Sequence, residues 1–88
     1  MLNKEQEITS TDTQVPVIMK LILYNSHHFW DDVVFQLQKA TGFDLLQCEQ
    51  IAIIAHTKGN AVVKSGALQE LTRINGVLKE INLVTEIK

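Results

Sequence analysis

Ala55-His56-Thr57-Lys58-Gly59-Asn60-Ala61-Val62 decides how this chain folds. Upstream of it, an apolar helix-period pattern runs from Leu45 to about Thr57, with Leu45, Cys48, Ala52 and Ala55 on one face. Gly59 stands where a helix ends in a left-handed residue. Asn60 to Lys64 then reads as a short strand. His56 therefore sits in the last turn of a helix, just before a sharp junction. Asn25 closes an earlier strand, so one amide and one imidazole are placed at two chain junctions.

Working outward, Asp44 can cap this helix, with Gln47 at the capping-box position. Ile51, Ile53 and Ile54 spread its apolar surface, which predicts a central helix. Before it, Trp30, Val33, Val34 and Leu37 follow the spacing of an amphipathic helix ended by Gly42. Asp31 and Asp32 fall in its first turn, where the helix dipole favours negative charge. Val17 to Tyr24 is rich in branched aliphatics and reads as a strand with Lys20 outward and Met19, Leu21 and Leu23 inward. Downstream, Ser65 is expected to cap a third helix carrying Leu68, Leu71, Ile74 and Leu78. Asn75-Gly76 weakens that helix by roughly 1 kcal/mol against alanine. Leu83, Thr85 and Ile87 alternate as a final strand.

The order is β-α-α-β-α-β, which predicts an α+β domain: a three-stranded antiparallel sheet with three helices on one face. Residues 1–14 are polar and without apolar period, and residues 1–16 are expected to form a flexible arm. The folded domain is expected over 17–88. With 88 residues, the chain forms one domain that buries roughly 60% of its unfolded surface. A net charge of −2 argues against a nucleic-acid binder, which needs a basic footprint. The longest apolar run is Ile51 to Ala55, far below the roughly 20 residues of a membrane span. A single cysteine, Cys48, fits a reducing compartment, so a cytoplasmic location is expected.

No phosphate loop, paired catalytic carboxylates or nucleophile-base set is visible, so neither enzyme activity nor a cofactor is expected. Cys48 reads as a small buried hydrophobe. His27, His28, Asp31 and Asp32 match no reliable ligand spacing, so no metal is expected. The two histidines read as a solvated loop.

Lys20-Leu21-Ile22-Leu23-Tyr24-Asn25, Leu37-Gln38-Lys39 and His56-Thr57-Lys58-Gly59-Asn60-Ala61, in this order and spacing, resemble the ClpS family of adaptors for Clp AAA+ proteases. Leu71-Thr72-Arg73-Ile74 is a weaker piece of the same resemblance. The ribosomal stalk protein's C-terminal domain shares this fold, and Ala40-Thr41-Gly42 is similar to it; the histidine piece favours ClpS.

The resemblance implies a non-enzymatic adaptor. It would dock on a ClpA- or ClpC-type unfoldase and present or modulate N-degron substrates, proteins whose first residue is large and apolar. It also implies roles for residues. Asn25 and a neutral His56 would contact the substrate's amino terminus. Trp30, Val33, Ala52 and Ala55 would line the apolar pocket, and Arg73 would face the unfoldase. The alternative is a diverged binding module on the same fold that binds factors as the ribosomal stalk does, without N-degron recognition. Where the family has Asn-Asp-Asp, this chain has Asn25-Ser26-His27-His28. Ser26 and His27 are not expected to replace the two carboxylates, which would favour a cationic amino group.

Overall fold

The computed structural model describes residues 17–88. The expected arm, residues 1–16, lies outside the described residues. The elements are β1 (Met19–Tyr24), α1 (Trp30–Thr41), α2 (Leu45–Lys58), β2 (Asn60–Gly66), α3 (Leu68–Leu78), a 3-10 turn (Lys79–Ile81) and β3 (Thr85–Ile87). This is the expected α+β order. β1 lies in the middle of the sheet, antiparallel to β2 on one side and β3 on the other.

Strand alternation sends Leu21 and Leu23 to one face, and they are fully buried with Ala61 and Val63 of β2. Against them pack Val34, Leu37 and Ala40 of α1, then Cys48, Ile51, Ala52 and Ala55 of α2, then Leu71, Ile74 and Leu78 of α3. The sheet register slips between Leu21, opposite Lys64, and Ile22, opposite Val62. Val63 is left unpaired at this bulge and turns inward, where it is buried.

Both helix stops named by glycine are present. Gly42 and Gly59 adopt φ of 76° and 92°, and their N–H groups donate to the Gln38 and Ala55 carbonyls. The Asp44 carboxylate accepts from the Gln47 N–H at 2.8 Å, capping α2 as expected.

Three expectations fail. Ser65 does not cap α3; it lies in β2 opposite Lys20, and the cap position falls to Ala67, which makes no side-chain bond. Pairing β2 as far as Gly66 with Met19 satisfies backbone groups that an early helix start would have left open. Next, α2 is not enclosed all round: Ile51 is buried, but Ile53 is 50% exposed and Ile54 41%. The side of α2 that carries Ile53 and Ile54 meets solvent. Lastly, Leu83 precedes β3 and plugs the core from a loop, while the strand itself begins at Thr85. The Thr85 hydroxyl donates to the Asn75 side-chain oxygen and ties β3 to α3.

Candidate functional site

The end of β1 is held by two backbone bonds. The Tyr24 N–H donates to the Val84 carbonyl at 2.8 Å, and the Asn25 N–H donates to the Gly59 carbonyl at 2.9 Å. The second bond joins the exit of β1 to the residue that stops α2. Asn25 and His56, which lies three residues before Gly59, are thereby brought to one corner. α1 and α2 form a hairpin around Gly42, so the start of α1 and the end of α2 lie at that same corner.

A hollow of about 290 Å³ opens there. Asn25 and His56 line it with Trp30 and Val33 from α1 and Ala52 and Ala55 from α2. Trp30 and Val33 are one helical turn apart, as are Ala52 and Ala55, so each pair shares a face. The two alanines are each 4% exposed, and their small side chains leave open space that a larger residue would fill. The Trp30 indole is a wall of the hollow, 41% exposed. Arg73 is not in this group. It is exposed on α3, near enough to Glu70 to help hold that carboxyl below its ordinary value.

Sequence reading overlooked five residues that line the hollow: Leu23, Tyr24, Ser26, His28 and Leu83. Leu23 was legible as core. Leu83 was not legible as a wall, because only the fold brings it beside the β1–α1 loop. His28 is not part of a solvated turn. It is half-buried, and its Nε2 lies 2.5 Å from the Ile81 carbonyl while its Nδ1 lies 2.8 Å from Ser26 Oγ. His27 is exposed. Among the described residues, no group of three or more His, Cys, Asp or Glu is placed to hold a metal ion.

Among the described residues, the lining carries no Asp, Glu, Lys or Arg. Its polar side chains are Tyr24, Asn25, Ser26, His28 and His56. The Tyr24 hydroxyl donates to a Glu86 carboxylate oxygen at 2.6 Å, which raises the phenol above its ordinary range. Cys48 lies outside the hollow, buried under α2, where burial pushes its thiol up and away from nucleophile chemistry. The hollow can thus take an apolar side chain and offer hydrogen-bonding groups to a polar one.

The fold and this hollow define a small α+β domain with a side-chain-sized cleft between a helical hairpin and the end of a central strand. The family model described as "ATP-dependent Clp protease adaptor protein ClpS" matches residues 14–81, most of the chain, and the chain belongs to that family. Among solved structures it is similar to Agrobacterium tumefaciens ClpS2 bound to L-phenylalaninamide. That similarity has a TM-score of 0.75 and 20% sequence identity, and covers 84% of this chain and 98% of the other. At that identity the likeness speaks for the fold. No curated protein matches the chain closely enough to count as a relative. No helix among the described residues is long and apolar enough to cross a membrane.

Proposed function

We propose that this Clp protease adaptor docks on a ClpA- or ClpC-type AAA+ unfoldase and presents N-degron proteins to it. The first residue of the substrate, large and apolar, enters the hollow. Its amino group meets Asn25 and His56, and its side chain lies against Trp30, Val33, Ala52 and Ala55. The observation that carries this reading is the shared hollow, whose wall is mostly apolar and includes Asn25 and His56. Support also comes from the similar ClpS2 structure, whose ligand L-phenylalaninamide joins a free amino group to a phenyl side chain. Arg73, exposed on α3 and outside the hollow, is left for the unfoldase.

The test is a titration of peptides that begin with Phe, Leu, Trp or Tyr, each beside its N-acetylated form. Binding of the free forms and loss on acetylation are expected. Equal binding of both forms would refute recognition of an amino terminus. For docking, the protein is mixed with the N-terminal domain of ClpA or ClpC. A complex weakened by Arg73→Glu is expected, and no complex at high micromolar concentration would refute it.

A further inference from the structure

An ammonium group has three N–H donors and needs three acceptors when it leaves water. Asn25 offers its side-chain oxygen, and a neutral His56 offers one ring nitrogen. Among the described residues, no carboxylate lines the hollow. Asn25 and His56 are exposed, so water can supply the third acceptor, unless a group on the wall takes its place; the bonding around His28 bears on which group that is.

The partner of His28 Nε2 is the backbone carbonyl of Ile81, at 2.5 Å. A carbonyl only accepts, so Nε2 carries the hydrogen. If the second ring nitrogen, Nδ1, carries no hydrogen, it is an acceptor, and we take the ring in that form. Ser26 Oγ lies 2.8 Å from Nδ1, so in that form the Ser26 hydroxyl donates its only hydrogen to it. Ser26 is a lining residue of the hollow, and in that form its Oγ is left as an acceptor alone. Bonds in such a chain polarise one another, which makes the final oxygen a better acceptor than an isolated hydroxyl. The chain starts at the last residue of the 3-10 turn that continues α3, where carbonyl groups carry partial negative charge.

We propose that Ser26 is the third acceptor for the ligand's amino group, and that His28 is the positioning residue that turns the Ser26 hydroxyl hydrogen away from the hollow. This rests on the functional reading above and goes a step further. It assigns to an uncharged serine, steered by a histidine 53 residues from its carbonyl partner, a task that composition alone would give to an acid.

Two peptides test it: one beginning with Phe, and the same peptide with hydrogen in place of its α-amino group. The wild-type chain is expected to prefer the amine. Ser26→Ala should cut that preference about tenfold, in keeping with the loss of one bond to a charged group, and leave the desamino peptide's affinity unchanged. His28→Phe, which keeps a ring but no nitrogen, should cut the same preference. A purely structural role would lower Tm and weaken both peptides alike. Independently of any variant, the ¹⁵N shifts of the His28 ring in the wild-type protein should show the Nε2–H tautomer. An undiminished preference in Ser26→Ala, or an Nδ1–H tautomer, would overturn the proposal. A wild-type protein that binds neither peptide would instead refute the adaptor reading on which the proposal stands.

Discussion

Replacing Ala55 by Leu separates the hollow from the core that surrounds it. Ala55 is 4% exposed and borders about 290 Å³ of open space. The substitution adds three carbons. If they enter the hollow, each removes apolar surface from water at about 0.8 kcal/mol, for a total of about 2 kcal/mol. Fixing the leucine rotamers costs about 0.5–1 kcal/mol. The net is a gain of about 1–2 kcal/mol, and each kcal/mol raises Tm by about 4–8 °C in a domain of this size. In a filled core the same change would overpack and cost about 1–3 kcal/mol. The sign of the Tm change therefore reports whether space exists. Binding should move in the opposite direction. A Phe-starting peptide that can no longer bury its ring loses about 1.5–3 kcal/mol, which is about tenfold to hundredfold in Kd. Thermal melting and peptide titration on one preparation read both effects. A Tm that falls would show that the side chain has no room. A raised Tm with unchanged affinity would show that the peptide binds elsewhere.

Other perturbations follow from the same coordinates. Leu37→Ala, at a fully buried site of α1, should cost about 2–5 kcal/mol in urea unfolding, because a cavity remains where the side chain sat in the core cluster. Gly59→Ala should cost about 1 kcal/mol by the same measurement: an added Cβ meets nothing within 4 Å, so the loss is that of forcing φ of 92° on an L-residue. The Glu70 carboxyl is held below its ordinary value of 4.5, chiefly by its hydrogen bond from Lys64 and then by the charges of Lys64 and Arg73. A lowered folded-state pKa makes this contribution full above the ordinary glutamate range and lost as pH falls through the folded value. Lys64→Met should accordingly flatten the acid limb of a stability–pH curve below the ordinary glutamate range. Cys48, buried and with its thiol pushed up, should react with a thiol reagent only as the protein unfolds, so its labelling rate should track urea unfolding rather than reagent concentration alone.

Local chemistry made much of this legible from the residues. A glycine that must adopt positive φ marks where a helix stops, and both Gly42 and Gly59 do so. Period-3.6 spacing at Val34 and Leu37, and at Leu71, Ile74 and Leu78, names the buried faces of α1 and α3. Errors arose where a residue's partner was distant in sequence. Ser65 has the right chemistry for a helix cap, yet Lys20 claims its backbone across the sheet. Ile53 and Ile54 are as apolar as Ile51, yet only Ile51 of the three is buried in the core.

The candidate site divides along the same line. Asn25, Trp30, Val33, Ala52, Ala55 and His56 could be named from junctions, spacing and resemblance, because each is fixed by its place on its own strand or helix. That they face one hollow was settled by the bond from the Asn25 N–H to the Gly59 carbonyl, which no local pattern encodes. Ser26 and His28 acquire their hydrogen-bonding roles from the Ile81 carbonyl. By itself the sequence determined the elements, their inward faces and the residue types near each junction. Tertiary structure alone decided which groups meet, because hydrogen bonds and packing act over a few ångströms whatever number of residues lies between the partners.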